Sequence, residues 1–279
     1  MKGSTEDLVI QGDNLARINI EHIAAAAGAA ARTRIAPDAL RLHKVTREIA
    51  AEALLIGVDY AYVPSDRKLS DFGLAAVGMD STLITIECID EIADMQGIKP
   101  QVAAITASAM RGEIDFPESL RRRVALLEGL DESALQRVYD ERLKLSPGAE
   151  AMLARLKSLG IRTLLVSGGF TFFTERLKQR LGLDYTLSNT LDIANGKLTG
   201  KVRGDIVDAQ AKAAKLCEVR DQLGLRKDQV IALGDGANDL PMMAEAGVSI
   251  AYHAKPVVRE KTTYSFNHAG LDGVLKLYL

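Results

Sequence analysis

The chain reads as an α/β protein: a parallel sheet with crossover helices, an inserted helical cap, and a small α+β domain in front. Three observations predict this. After about residue 71, short β-rich apolar runs alternate with longer helical ones. Between the first two of those runs, about Thr85 to Leu145 is helical almost throughout, too long for a simple crossover. A polar, turn-rich segment, Pro64 to Asp71, separates all of this from the first seventy residues.

Taken in order, residues 1–70 offer a short strand at Leu8-Val9-Ile10, helical stretches at Asn19 to Arg32 and Pro37 to Ile56, and a second strand at Val58 to Val63. Residues 71–279 form the larger domain, with the cap at about 85–145. Its strands are expected at Leu74–Val77, Arg162–Val166, Tyr185–Leu187, Val230–Leu233 and Val248–Ala251. Within the cap, Val124 to Leu127 and Leu135 to Leu143 carry apolar residues at three- and four-residue spacing. Leu191 to Val202 reads as a hairpin, because Asn195-Gly196 favours the positive backbone angles of a type I′ turn.

Composition narrows the function. At 47% hydrophobic residues over 279, the chain can bury a sizeable core. With 35 basic against 37 acidic residues, nothing calls for a nucleic-acid partner, and the triplet Arg121-Arg122-Arg123 reads by itself as a solvated helix face. No apolar run of about 18 residues offers a membrane span, and the N-terminus lacks the layout of a signal peptide. The two cysteines, Cys88 and Cys217, have no metal-site spacing, so reduced thiols and a cytoplasmic location are the expectation.

The chemistry gathers at strand ends. Gly234-Asp235-Gly236-Ala237-Asn238-Asp239 follows a strand, where open α/β sheets bind ligands, and its aspartates are hard oxygen donors of the kind Mg²⁺ takes. Ser167-Gly168-Gly169 also ends a strand, where a hydroxyl and glycine amides opening a helix suit a phosphate. Lys212 would bring an ammonium to the same phosphate. Singly, these also read as a plain turn, a Ser N-cap and a surface lysine beside Lys215.

In their order along the chain, an aspartate-bearing first strand end, Ser-Gly-Gly, a lysine and Gly-Asp-Gly-x-Asn-Asp resemble the haloacid-dehalogenase (HAD) phosphohydrolase superfamily. Asp80 to Ala93 and Ser167 to Thr171 are similar to the phosphoserine phosphatases within it. The resemblance spans about residues 72 to 279. It implies a HAD-like Rossmannoid core, Mg²⁺ as cofactor, O-phospho-L-serine as substrate, serine biosynthesis as context, and a homodimer as the assembly to test. The first domain is similar in placement to a degenerate, ACT-like regulatory domain.

By resemblance, position 78 holds the attacking aspartate, which would form an aspartyl-phosphate and ligate the metal. Asp80 is the general acid and base and offers its main-chain carbonyl to the metal. Asp235 is the main remaining metal carboxylate, with Asp239 orienting the metal's waters. Ser167, Gly168, Lys212 and Asn238 hold the phosphate. Glu87 meets the substrate ammonium and Arg123 its carboxylate. Met110, Phe116 and Val124 are candidates for an apolar shell.

This chain departs from that pattern at one point: position 78 is glycine. The covalent route then lacks its nucleophile and the metal one ligand. Glycine has little structural merit inside a strand. The favoured reading is therefore a phosphatase whose nucleophile has been removed. Two alternatives stand beside it: a non-catalytic phosphoserine- or serine-binding regulatory protein, and a rewired hydrolase in which Asp80 activates water.

Overall fold

The computed structural model describes residues 5–278. Its first unit runs β1 (Glu6–Gln11), α1 (Ile20–Ala27), β2 (Ala31–Ala36), β3 (Ala39–Val45), a one-turn α2 (Ala51–Leu54) and β4 (Asp59–Pro64). The strands form an antiparallel sheet in the order β2-β3-β1-β4, a β-α-β-β-α-β arrangement of the ferredoxin-like kind.

Two helical expectations give way here. Helix α1 starts where Asn19 accepts the amide of His22, and stops at Gly28, whose left-handed backbone (φ 62°) ends it before Arg32. Pro37 to Ile56 is strand β3 followed by α2. In β3, Leu40 and Leu42 face one core while Arg41 is buried on the opposite face, the two-residue alternation of a strand.

The second unit begins with β5 (Leu74–Gly78) and passes into the cap helices α3 (Cys88–Met95), α4 (Lys99–Met110), α5 (Phe116–Ala125) and α6 (Ser133–Glu141). It returns through α7 (Ala149–Ser158), β6 (Arg162–Phe170), α8 (Thr171–Leu181), β7 (Tyr185–Ala194), β8 (Lys197–Arg203), α9 (Ala209–Gln222) and β9 (Val230–Gly234). It ends with α10 (Leu240–Ala244), β10 (Val248–Tyr252), α11 (Pro256–Arg259), β11 (Tyr264–Phe266) and α12 (Gly273–Leu277). The sheet order is β11-β10-β9-β5-β6-β7-β8, parallel except for β7–β8.

Alternation along the strands builds a three-layer core. Leu74, Ala76, Leu164, Val166, Val230 and Ala232 pack on α9 and α10, while Val77, Leu165, Ile231 and Leu233 pack with Met152 and Leu156 of α7 and Phe173 and Leu177 of α8. The chain goes from β5 to β6 on one side and later adds β9 on the other. The carboxyl ends of β5, β6 and β9 thus surround a topological switch point.

The cap leaves and re-enters the core through two paired segments: Thr85 N–H donates to Lys144 O and Ser146 N–H to Leu83 O, both at 2.9 Å. A second attachment comes from the β7–β8 hairpin, turned at Asn195 (φ 52°) and Gly196 (φ 74°). Its β8 strand exchanges main-chain hydrogen bonds with the α5–α6 loop, Gly129 N–H to Leu198 O and Leu198 N–H to Leu130 O, both 2.8 Å.

The first sheet lies against the second unit. Leu8 and Ile10 of β1 face α1, whereas Val9, with Ala61 and Val63 of β4, joins the large core of the second unit. No helix among the described residues is long and apolar enough to cross a membrane.

Candidate active site

The site assembles where three strands stop. β5 ends at Gly78, paired in register with Val166, so the residues after β5 become neighbours of the last residues of β6, Ser167 to Phe170. After Met79 the backbone reverses at Ser81, in the left-handed region (φ 54°), and returns Asp80 toward the sheet.

Asp80 Oδ2 accepts the Ser167 hydroxyl at 2.9 Å, and its Oδ1 accepts the main-chain N–H of Cys88 at 2.8 Å. Cys88 opens α3, so the carboxylate also caps a helix N-terminus. Ser167 Oγ in turn accepts the Gly169 amide at 2.7 Å. Burial pushes the Asp80 carboxyl above its ordinary range, against the pull of these donors and of Lys212.

On the β9 side, Asp235 Oδ1 accepts the Thr82 hydroxyl at 3.1 Å. Burial, reinforced by the charge of Asp239, pushes Asp235 up to about 6. Lys212 is buried, and its Nζ donates to Asp239 Oδ1 at 2.8 Å, with both side chains 4% exposed. The surface-lysine reading of Lys212 is thereby replaced: about two turns of α9 pack on the sheet, and Lys212 is on that face with Ala213, Leu216 and Val219.

The cap side carries Glu87 and Arg123. Glu87 opens onto the cleft yet has protein on most sides; that enclosure, with the charge of Asp80, pushes it up to about 8. Its Oε1 accepts the Ser81 hydroxyl at 2.6 Å. Arg123 is the one member of its triplet turned inward. Its Nε donates to Ser119 O at 3.3 Å, and burial lowers its pKa against the charges of Asp90, Glu87 and Asp80.

The apolar candidates separate. Phe116 lies over Gly168, where a Cβ would stand 2.9 Å from the ring, so Gly168 is needed for close approach. Val124 is core, and Met110 is 69% exposed at the end of α4. Asn238 is exposed, with its side-chain oxygen folded over Gly236.

Three contributors were not anticipated. Thr82 and the Cys88 amide hold the two aspartates, as above. Asn189, 1% exposed on β7, donates to Gly168 O and accepts the Val207 amide, both at 2.8 Å. A buried asparagine in a strand looks like any polar strand residue until its partners are known.

Gly78 itself has an extended backbone, φ −63° and ψ 151°, that any residue adopts. A Cβ there would meet Thr82 Oγ1 at 3.2 Å and Asp239 Oδ2 at 3.6 Å, so the backbone does not demand glycine and a side chain needs the buried Thr82 hydroxyl to give by a few tenths of an ångström. Among the described residues, no three histidine, cysteine or acidic side chains are grouped to hold a metal.

Residues 75–244 match the family model of haloacid dehalogenase-like hydrolases. A phosphoserine phosphatase from Polaromonas sp. is 56% identical over 217 residues, which cover 76% of this chain and 92% of that one. The solved structure of a probable phosphoserine phosphatase from Vibrio cholerae superposes with a TM-score of 0.83 at 37% identity, covering 98% of this chain and 86% of that one. A structure described as a phospho-aspartyl intermediate analogue of phosphoserine phosphatase superposes with a TM-score of 0.70 at 38% identity, over 75% of this chain and 99% of that one. With strands, switch point and motif residues arranged as above, the chain belongs to the haloacid dehalogenase-like hydrolases and, within them, to the phosphoserine phosphatases.

Proposed function

We propose that this chain recognises O-phospho-L-serine in a phosphatase site whose attacking carboxylate is absent, so that it binds the ester far better than it cleaves it. The observation carrying this reading is the contrast between Gly78 and its surroundings. Asp80 is bonded to Ser167, Asp235 to Thr82 and Lys212 to Asp239, all at the strand ends, while position 78, facing Thr82 and Asp239, meets only side-chain atoms and has no side chain of its own.

The roles follow from chemistry. Asp80, its carboxyl raised by burial, is suited to hold a proton at an Oδ atom and give it to the serine leaving oxygen. The Gly168 amide and the Ser167 hydroxyl, once turned from Asp80, offer donors to phosphoryl oxygens, and Asn238 is exposed on the neighbouring loop, Gly234 to Asp239. Lys212, fixed by Asp239, contributes a positive charge beside them. Glu87 takes the substrate ammonium and Arg123 its carboxylate, with Phe116 excluding water from the ester.

The donor set also suits a hard cation. Asp235 is a buried carboxylate that burial and the charge of Asp239 push up to about 6, a cost to its charged form that a divalent ion would relieve. Mg²⁺ would be held by Asp235 and the Asp80 carbonyl, with Asp239 orienting its waters. It would neutralise charge on the phosphoryl oxygens. With Gly78 the set is one carboxylate short.

The test is a calorimetric titration with O-phospho-L-serine in Mg²⁺, run beside a phosphate-release assay on the same sample. Saturable binding with negligible release is expected. Absence of binding would refute the reading, as would release at a rate ordinary for such enzymes, about 1 s⁻¹ or faster.

A further inference from the structure

The first unit reaches the site through a carboxylate that the reading above does not use. Asp59, at the start of β4, is 3% exposed and points away from α1 toward the second unit. Its Oδ1 accepts the main-chain N–H of Asn267 at 2.7 Å. Its Oδ2 accepts those of His268 at 2.9 Å and Ala269 at 2.8 Å. Three consecutive amides of the loop after β11 therefore depend on one side chain from the other unit.

That loop holds a turn at the site's rim. Ala269 O lies 3.3 Å from His253 Nε2, and the His253 amide donates to Phe266 O at 2.7 Å. His253 sits in the left-handed region (φ 46°), uncommon for a side-chain-bearing residue and sustained only where its surroundings fix it. It opens the turn between β10 and α11, beside β9, where Ala251 pairs with Gly234 just before Asp235.

The same turn touches the Asp235–Leu240 loop and the end of cap helix α4. Ala254 packs with Ala251 and Val258 against Leu240, the residue after Asp239. Lys255 Nζ lies 3.9 Å from Met110 Sδ at the end of cap helix α4.

We infer that Asp59 is a positioning residue for the active site: from the first unit it clamps loop 267–269, and through His253 and Ala254 it seats the turn against which the Asp235–Leu240 loop rests. The first unit is in this sense a component of the site. The inference rests on the proposed function only for the ligand used in its second readout.

Asp59→Asn is the informative substitution because it keeps shape and fails chemically. Both carboxylate oxygens accept N–H groups, so an amide in either orientation sets its own NH₂ against at least one donor. In the full ligand-free chain, hydrogen exchange should quicken by about tenfold or more in segments 237–240 and 253–256, read at the hydrogen-bonded amides of Asp239, Leu240 and His253, besides 267–269. Phosphoserine affinity should weaken by about three- to tenfold, since the loop must be reordered on binding.

Two further variants separate this route from general undocking. Lys276→Met breaks another contact between the units, the 2.6 Å pair with Asp38, together with the 3.1 Å pair to Asp272 in its own unit, and should leave exchange at 237–240 unchanged. His253→Asn keeps a residue that tolerates positive φ but loses the ring contact; it should quicken 253–256 and 237–240 while 267–269 stays protected. The inference is overturned if Asp59→Asn loosens 267–269 alone, or if Lys276→Met loosens 237–240 equally. Should Asp59→Asn not fold, unchanged exchange at 237–240 in His253→Asn overturns it. Exchange is read without ligand, so failure of the unsubstituted chain to bind phosphoserine would refute the function and leave this outcome intact.

Discussion

Replacing Gly78 by aspartate should convert the site from holding an ester to hydrolysing it, and the structure sets the terms. The backbone at 78 is already extended, and a Cβ meets no main-chain atom among its three nearest neighbours, only Thr82 and Asp239 side chains at 3.2–3.6 Å. The steric cost is a shift of a few tenths of an ångström by the buried Thr82 hydroxyl, which also donates to Asp235. The electrostatic cost is larger: a carboxylate about 4 Å from that of Asp239 feels about 4 kcal/mol of repulsion at an effective dielectric of about 20. Lys212, paired with Asp239, offsets part of this, leaving a net destabilisation of about 2 kcal/mol without metal.

Gly78→Asp should therefore melt several degrees lower than the parent in chelator and recover in Mg²⁺, which gains a ligand. Loss of a nucleophile from a well-built hydrolytic site costs about 10⁴- to 10⁶-fold in kcat, and restoring it should return at least about 10⁴-fold. The assay is phosphate release from O-phospho-L-serine with and without Mg²⁺, with circular dichroism and thermal melts on the same samples. A variant that folds and binds phosphoserine but releases phosphate no faster than the parent would refute the reading of position 78. An unchanged melt in chelator would refute the electrostatic argument.

Lys212→Met removes one partner of a buried pair and should cost about 3–5 kcal/mol in urea unfolding, partly recovered by adding Asp239→Asn; a parent-like midpoint would contradict the burial. Asn189→Ala orphans the Gly168 carbonyl and the Val207 amide and should cost about 2–4 kcal/mol while weakening phosphoserine binding, measured by unfolding and calorimetry. Glu87 is pushed up from 4.5 to about 8, so its contribution to stability is fully present below pH 4.5 and is lost as pH rises through about 8. With Glu87 taking the substrate ammonium as proposed, binding would draw it into its charged form, so phosphoserine binding at pH 7 should release protons in buffers of differing ionisation enthalpy. Glu87→Gln should abolish that release, and persistence of it would remove Glu87 from the ammonium's place.

Where residue type and spacing carry chemistry, the chain could be read directly. The ends of β5, β6 and β9 were legible because Asp80, Ser167-Gly168-Gly169 and Gly234 to Asp239 have few other reasons to follow apolar strands. The hairpin was legible from Asn195-Gly196. Residues 37–56 were not, since leucine, alanine and arginine suit a helix in isolation, and only burial of Arg41 on the far face, paired with Asp7, makes β3 a strand. Lys212 and Arg123 sit among other basic residues, so their inward turn depends on which helix face the sheet covers. Thr82, Asn189 and Asp59 act through partners 18 to 210 residues away, a relation that local pattern does not contain.

The hairpin tip bears on how such a cap can be altered. Because β8 and the α5–α6 loop share main-chain hydrogen bonds, side-chain exchange on either surface leaves the bond intact, while a single-residue insertion near Asn195-Gly196 would shift its register. The two pieces are far apart in sequence and behave as one part. A cap transplanted from a relative with a different substrate should be carried together with its hairpin, and a chimera that exchanges helices α3–α6 alone would inherit a mismatched seam.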